Sequence, residues 1–331
     1  MSIAIYGAGA IGALLGAKLS LAGEDVTLIA RGAHLRAMQS HGLRISGPDG
    51  DTRVHLKATD DPVRLDPVDF LFLTVKAHGL TEIAPQIGPL IGPETAVVSA
   101  QNGMPWWYFQ RHGGMWDGTH LESVDPGGVI SKAIDPERII GCVVYPTAAI
   151  VEAGVIEHTE GNRFAIGELD GSSSQRCRQL AASLISAGFK APIRSNIRHE
   201  IWAKLLGNVA FNPLSVITRS TMLEIASHPE TSTIARAIMS EANSVARALG
   251  VDVAISIEQR FSGAKQVGNH KTSMLQDLEA GRPLELESIV GVIVELGSKL
   301  GISVPHASTV YSCVKLLAAQ IESHTPADAR T

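Results

Sequence analysis

Cysteine and aromatic residues are scarce in this chain. Only 3 of its 331 residues are cysteine, and phenylalanine, tryptophan and tyrosine together make up 5%. Cys142, Cys177 and Cys313 cannot all pair with one another, and none has the spacing of a metal ligand. Because structural disulfides belong to oxidising compartments, we expect three reduced, buried thiols in a cytoplasmic protein.

Long apolar runs, strong charge and metal-binding motifs are also missing. No uncharged apolar stretch reaches the roughly 20 residues that span a bilayer. A net charge of −5 gives no reason to expect nucleic acid or an acidic membrane as a partner. The 12 histidines include no H-x-x-x-H pair. The first strand pattern starts at once, without a basic segment before it, so we expect no secretory signal.

What the chain does contain predicts a two-domain α/β protein. Hydrophobic residues make up 45% and charged residues 18%, as in ordinary globular proteins. The first half alternates strand and helix patterns, which predicts a parallel, doubly wound sheet. From residue 196 onward the periodicity is almost entirely helical. We expect a Rossmann-type domain at 1–195 and an all-helical substrate domain at 196–331.

Several further elements are predicted inside these domains. Residues 42–58 have the pattern of a hairpin around Pro48-Asp49-Gly50. Strand-like segments that we expect to extend the main sheet in antiparallel fashion lie at 138–145, 154–159 and 163–168, and a last strand lies at 190–194. Helical patterns cover 175–187, 196–210, 229–250, 255–267, 284–300 and 306–323.

A glycine-rich loop at the amino end indicates the cofactor class. The strand Ser2–Tyr6 is followed by G-x-G-x-x-G and then by a helical run, Ala13–Ala22. In this context the pattern is typical of a dinucleotide-binding loop, in which backbone N–H groups and the helix dipole meet the pyrophosphate. The alternative is a glycine-rich turn without a ligand. The predicted cofactor-binding residues of the loop are Gly7, Ala8, Gly9, Ala10, Ile11 and Gly12.

The residue that ends the second strand bears on the choice of nicotinamide cofactor. The strand 25–30 ends at Arg31, roughly 20 residues after the glycines, where an acid would bind the ribose hydroxyls of NAD. An arginine there suits a 2′-phosphate, which favours NADP(H) over NAD. An ordinary solvated arginine is the alternative.

Two more strand ends carry candidate ligands. The strand 69–75 runs into Lys76, and the strand 95–100 runs into Gln101-Asn102-Gly103. In an open parallel sheet, ligands collect at the carboxyl ends of the strands. Lys76 is therefore a candidate for the phosphate or adenosine side, and Asn102 for the nicotinamide and the substrate. A plain Asn-Gly turn is the alternative for Asn102.

Three polar side chains stand four residues apart in an otherwise apolar helix. Positions i, i+4 and i+8 share one face, so Lys204, Asn208 and Asn212 form a stripe. Burying an ammonium and two amides is costly unless something pairs with them, and a small polar, carbonyl-bearing substrate would do so. Since the helix starts at the domain junction, we expect this stripe beside the cofactor crevice.

A second polar cluster lies further along the helical half. Ser273 has the pattern of an N-cap, and Pro283 is typical of the start of a helix that would carry Glu285 in its first turn. Each residue has a purely structural alternative. Ser273 would then serve only as a cap, and Glu285 only as an acid that complements the helix dipole.

Together these motifs resemble the ketopantoate reductase (2-dehydropantoate 2-reductase) family. The glycine loop, Arg31, Lys76 and Asn102-Gly103-Met104 carry the resemblance in the first half. In the second half it is carried by the segment from Glu200 through Lys204 and Asn208 to Leu214, by Ser273–Asp277 and by Glu285. It spans residues 3 to about 318.

The resemblance assigns roles to these positions. It implies that Lys204 is the catalytic acid and that Glu285 supports it. Substrate contacts are implied for Asn102, Asn208, Asn212 and Ser273. Cofactor contacts are implied also for Asn102 and Glu285.

The implied reaction is NADPH-dependent reduction of 2-dehydropantoate to pantoate, a step of pantothenate and coenzyme A biosynthesis. The small-molecule partner is then a 2-oxo acid, and a homodimer is a compatible assembly. Reduction of another 2-oxo acid or lactone on the same fold is one alternative. A nucleotide-binding sensor without turnover is another.

Three positions depart from the family's usual pattern. The family's Thr-Glu-Ile-Asp is Leu284-Glu285-Leu286-Glu287 here, His270 stands where several members have Asn, and the aromatic run 106–109 follows Asn102. We expect all three near the substrate. For the aromatic run, a wall of the pocket, a subunit contact and plain core packing are all open.

Overall fold

The computed structural model describes residues 1–48 and 50–324. The chain divides into two compact units. An α/β unit comprises Met1–Gln101, Pro105–His120 and Asp125–Ile197. A helical unit comprises Asn102–Met104, Leu121–Val124 and the described part of the chain from Arg198 onward. Two short segments that precede residue 196 thus belong to the helical unit.

Strands are confined to the α/β unit in the described part of the chain. They are β1 (Ser2–Tyr6), β2 (Asp25–Ile29), β3 (Leu43–Gly47), β4 (Gly50–Val54), β5 (Lys57–Thr59), β6 (Phe70–Leu73), β7 (Ala96–Ser99), β8 (Ile139–Val144), β9 (Thr147–Glu152), β10 (Val155–Glu160) and β11 (Phe164–Glu168).

The helices of the α/β unit are α1 (Ala10–Leu21), α2 (Gly32–His41), α3 (Leu80–Ile83), α4 (Val129–Ala133) and α5 (Gln175–Ser186). The helical unit contains α6 (Ile197–Thr218), α7 (Met222–Ser227), α8 (Pro229–Ala248), α9 (Ile257–Val267), α10 (Ser273–Glu279), a π-helical turn (Glu287–Gly291), α11 (Val292–Leu300) and α12 (Pro305–His324).

A seven-stranded sheet forms the centre of the α/β unit. Its order is β11-β8-β7-β6-β1-β2-β5, with every neighbouring pair parallel except β8 and β11. Strands such as β6 (FLFL) are buried along their whole length, as expected for a parallel sheet covered on both faces. The chain places β2 on one side of β1 and β6 on the other, so the order reverses at β1. The predicted Rossmann-type, doubly wound architecture is confirmed.

A second sheet differs from the prediction. The expected hairpin exists as the antiparallel pair β3–β4, although its turn residue Asp49 lies outside the described residues. Segment 154–159, expected to extend the main sheet, is β10, which pairs in parallel with β3 and antiparallel with β9. The reason is packing, because β3, β9 and β10 contact α1 and bury Ile45 and Ile156 in the same core as Leu14. The predicted strand 190–194 makes only isolated bridges, since Pro192 has no N–H for a ladder.

Two other predictions need correction. Cys142 and Cys177 are buried as expected, and burial raises the pKa of the Cys177 thiol to about 11, but Cys313 is exposed. Helix α6 continues past Pro213 to Thr218, because the residues on both sides of the proline are packed in the core. No helix in residues 1–48 and 50–324 is both long and apolar enough to cross a membrane.

The predicted helix 284–300 does not begin at Pro283. Residues 282–285 are not helical, and the first regular turn after them is the π-helical turn. There the Val292 N–H reaches back five residues to the Glu287 carbonyl, while the Ser288 carbonyl accepts the Met104 N–H at 2.7 Å. This long-range hydrogen bond occupies the carbonyl to which Val292 would donate in an α-helical turn, and local sequence patterns cannot reveal it.

Candidate functional site

The glycine loop lies where β1 ends and α1 begins, at the point where the strand order reverses. Gly7 has φ +104°, and a Cβ there would lie 2.6 Å from the Val75 nitrogen. A Cβ on Gly12 would overlap the Gly7 carbonyl oxygen, whereas Gly9 faces open space. No side chain caps the start of α1. Two of the glycines thus allow close backbone packing, and the third leaves room for a phosphate next to the positive end of a helix.

Arg31 follows β2 directly at the same edge of the sheet. Its side chain is 87% exposed and lies 3.7 Å from Glu82, which is itself mostly exposed. Such an exposed ion pair is weak, so the guanidinium remains able to bind a phosphate. Lys76 follows β6 and is half-buried. Both cations therefore stand at carboxyl ends of parallel strands, as the sequence predicts.

Lys204 and Asn102 are brought together in the helical unit. The Lys204 ammonium donates to Asn102 Oδ1 at 2.5 Å, although the two residues are 102 positions apart. Most of α6 up to residue 216 is buried, but Lys204 and Asn208 are half-buried and mark the accessible side of the helix. The predicted stripe therefore has a face that a small molecule can reach.

Asn212 is the most buried member of that stripe. It is 4% exposed, and within the described residues its Nδ2 has no hydrogen-bond partner. A buried amide donor without a partner costs about 1–3 kcal/mol, which points to an acceptor supplied by a ligand. The backbone carbonyl of Asn212 does have a partner, because it accepts the Ser215 hydroxyl at 2.7 Å.

The N-cap of α10 is Thr272, not Ser273 as predicted. The Thr272 hydroxyl accepts the Leu275 N–H at 3.2 Å and lies 2.5 Å from the Ser215 hydroxyl. Thr272 is buried and Ser273 is exposed at the first residue of the helix. Two neighbouring hydroxyl residues are equally good caps by sequence, and tertiary contact with α6 decides between them. The reading of Ser273 as only a cap is therefore excluded.

The sequence predicts Glu285 in the first turn of a helix, but in the structure it lies just before the π-helical turn. It is 8% exposed, and its carbonyl accepts the Ser288 hydroxyl at 3.5 Å. A carboxylate this buried needs compensation, since desolvation disfavours its charge. Glu285 is therefore a buried acid in the same unit as Lys204.

The positions that depart from the family pattern have identifiable contacts. All four aromatic residues at 106–109 are buried, and Trp107 fills the space beside Gly141. The run is therefore core packing of the α/β unit, which was one of the open alternatives. Glu287 binds Tyr311 and Lys315. His270 is half-buried, and its carbonyl accepts the Met222 N–H.

Arg260 is a candidate functional residue that no sequence pattern indicates. It is half-buried on α9, and its Cδ lies 3.6 Å from the position of a Cβ on Gly207. Gly207 lies on the half-buried side of α6, next to Asn208. The Arg260 side chain therefore lies within van der Waals range of position 207, beside the predicted stripe. An isolated arginine 56 residues from Lys204 in sequence gives no signal of this.

A cavity of about 550 Å³ lies at the amino-terminal ends of β6 and β7, at the edge opposite the glycine loop. Its arginines are committed to protein groups. Arg138 donates to the carbonyls of Gly92 and Pro93, and Arg176 binds Glu168. Within the described residues, no group of histidine, cysteine or acidic side chains is arranged to hold a metal.

Comparison with known proteins adds a family to this geometry. The family profile "Ketopantoate reductase PanE/ApbA" matches residues 3–105, and "Ketopantoate reductase PanE/ApbA C terminal" matches residues 196–318. A 2-dehydropantoate 2-reductase of Mesorhizobium japonicum is 46% identical, covering 97% of this chain and 98% of that protein.

Solved structures agree with that similarity. A crystal structure from Ralstonia solanacearum MolK2, described as that of a candidate ketopantoate reductase, aligns with a TM-score of 0.92 at 40% identity, covering 97% of this chain and 98% of that one. D-Mandelate dehydrogenase with NADH and anilino(oxo)acetate shares the fold, with a TM-score of 0.84 at 24% identity over 97% of this chain and all of that one.

Proposed function

This chain belongs to the ketopantoate reductase family, and from that premise we propose that it reduces 2-dehydropantoate to pantoate with NADPH, a step of pantothenate and coenzyme A biosynthesis. The family and the relatives support an oxidoreductase acting on a small oxo acid with a nicotinamide cofactor. The observation that carries the finer proposal is the contact between Lys204 and Asn102, on the accessible face that also presents Asn208.

The α/β unit suits the dinucleotide. The space at Gly9 and the uncapped start of α1 fit a pyrophosphate, and the exposed Arg31 fits a 2′-phosphate, which NADP(H) has and NAD lacks. Lys76 is proposed as a further phosphate or adenosine contact. When bound, the reduced nicotinamide supplies the hydride. Asn102 and Glu285 stay predicted cofactor contacts.

Lys204 is the proposed general acid. As hydride reaches the 2-oxo carbon, negative charge develops on the oxygen, and the Lys204 ammonium stabilises it and donates its proton to form the alcohol. Asn102 holds the ammonium through Oδ1 and so limits its rotation. Glu285, a buried acid in the same unit, is proposed to favour the protonated amine.

The remaining polar groups are proposed to hold the oxo acid. Asn212 offers an unpartnered, buried N–H donor, and Asn208 offers an amide one turn earlier. The exposed Ser273 hydroxyl adds a donor at the start of α10. Neutral donors such as these can bind a carboxylate without imposing a fixed charge on the site. The helical unit is thereby proposed as the substrate domain and the α/β unit as the NADP(H)-binding domain.

The test is NADPH consumption by the purified protein with ketopantoate, with other 2-oxo acids including aryl ones, and with a lactone. The proposal expects the highest kcat/KM with ketopantoate. Faster reduction of another acid or of a lactone would establish the first alternative. NADPH binding without turnover of any compound would establish the sensor. The cytoplasmic location and the homodimer stay predictions.

A further inference from the structure

The π-helical turn Glu287–Gly291 is held in place by a polar cluster on its outer side. Tyr311 on α12 donates its hydroxyl to both oxygens of the Glu287 carboxylate, at 2.8 and 2.9 Å. Lys315, one turn later on α12, lies 3.1 Å from that carboxylate and donates to the Tyr311 hydroxyl at 2.6 Å. We call Glu287, Tyr311 and Lys315 the clamp.

The clamp contacts the π turn at Gly291, which has no side chain. A Cβ on Gly291 would overlap a Glu287 carboxylate oxygen and would lie 3.2 Å from the Tyr311 ring. The carboxylate therefore lies across the turn, over the position where other residues carry a Cβ. A π turn is rarely stable by itself, so the hydrogen bonds of this cluster support it from one side, in addition to the bond between Met104 and Ser288.

The inner side of the same turn holds the segment that carries Asn102. The Ser288 carbonyl accepts the Met104 N–H at 2.7 Å, and both residues are almost fully buried. Gly103 has φ +84°, and a Cβ there would overlap the Ser288 carbonyl oxygen. The backbone of Gly103 and Met104 therefore packs directly against the turn. This packing fixes the position of the residue just before Gly103.

That residue, Asn102, binds the Lys204 ammonium at 2.5 Å. A continuous series of contacts therefore runs from Lys315 and Tyr311 through Glu287, the π turn and Met104 to Asn102 and Lys204, all within the helical unit. We propose that Glu287, Tyr311 and Lys315 are positioning residues that set the orientation of Lys204 through the π turn. The catalytic consequence rests on the proposed role of Lys204 as general acid.

The proposal predicts a specific kinetic effect of Tyr311→Phe, which keeps the ring and removes only the hydroxyl. Loss of one hydrogen bond to a charged group should lower kcat by about 5- to 10-fold while the KM for the oxo acid changes less than about 2-fold. The reason is that Asn208, Asn212 and Ser273, which are proposed to hold the oxo acid, are not part of this series of contacts. Glu287→Gln should act in the same direction. Ser312→Ala is the matched control. It removes a hydroxyl from the same helix that, among residues 1–48 and 50–324, bonds only to the Ser308 carbonyl.

A double-mutant cycle with Asn102→Ala tests whether the effect passes through Asn102. If it does, Tyr311→Phe should lower kcat less than about 2-fold in the Asn102→Ala background, because the connection is already broken. Equal effects in both backgrounds, or a wild-type kcat in Tyr311→Phe and Glu287→Gln, would overturn the proposal.

Hydrogen exchange separates this inference from the proposed function. In the protein without ligands, Tyr311→Phe should speed exchange of the Met104 amide about tenfold or more, and Ser312→Ala should not. Exchange unchanged from wild type overturns the clamp even if the enzyme reduces ketopantoate. Faster exchange in a protein that reduces no oxo acid would instead refute the proposed function and leave the mechanical link established.

Discussion

One substitution at Asn212 should raise the stability of the protein and lower its activity. Its Nδ2 is buried and has no partner among the described residues, so the folded chain carries the cost of a donor removed from water. That cost is about 1–3 kcal/mol. Replacing Asn212 with leucine, which has a similar volume and no donor, should recover at least part of it. We expect Asn212→Leu to raise the melting temperature by about 2–4 °C for each kcal/mol recovered.

The same substitution should damage catalysis. If Nδ2 donates to the charged oxo acid, its loss should cost about 1.5–3 kcal/mol, which corresponds to about 10- to 100-fold in kcat/KM. Calorimetry and steady-state NADPH oxidation measure the two effects on the same preparation. A variant that is more stable and much less active is the expected result.

A matched control comes from α8. Asn243 also has a buried amide atom without a partner among the described residues, its Oδ1, but it lies outside the proposed substrate face. Asn243→Leu should be neutral or stabilising and should leave kcat/KM within about 2-fold. Unchanged kcat/KM in Asn212→Leu, or equal losses in both variants, would refute the assignment of Asn212 as a substrate donor.

Three further outcomes are expected. Arg31→Ala should weaken NADPH binding at least tenfold and NADH binding little in a fluorescence titration, whereas equal weakening of both would exclude a role in binding the 2′-phosphate. Burial lowers the pKa of His34 below 6.5, and its neutral Nδ1 accepts the Gly154 N–H; its contribution to stability is therefore complete above pH 6.5 and lost as the pH falls through the lowered pKa. Urea unfolding between pH 7.5 and 5 should accordingly show a smaller loss of stability in His34→Gln than in wild type, and equal losses would contradict this. Glu241 accepts N–H groups at the start of α12, so Glu241→Ala should lower the free energy of unfolding by about 1 kcal/mol without changing kcat/KM, and an unchanged stability would show that this cap is not needed.

Local patterns were sufficient for those parts of the molecule that depend on neighbours in sequence. The buried runs of β1 and β6 and the glycine loop between β1 and α1 follow from apolar continuity and from the backbone freedom of glycine. The spacing of Lys204, Asn208 and Asn212 is likewise a property of one helix, and that helix has an accessible side at the first two of them.

Features that depend on distant partners could not be predicted in this way. β10 joins β3 because both bury a face against α1, and no pattern inside β10 says which sheet it will enter. The π turn exists where the Met104 N–H takes the Ser288 carbonyl, 184 positions further along the chain. Arg260 on α9 lies beside position 207 of α6, which is 53 residues earlier in the chain. Each case depends on a contact between segments whose proximity the fold itself creates.

The central claim is that the Lys204 ammonium is the proton donor, and single-turnover NADPH oxidation with ketopantoate in Lys204→Ala measures it most directly. The predicted result is a fall of at least about 10²-fold in the rate of the chemical step, with NADPH affinity unchanged, because a general acid typically contributes about 10²–10⁴-fold. A chemical step within about 3-fold of the wild-type rate would contradict the account.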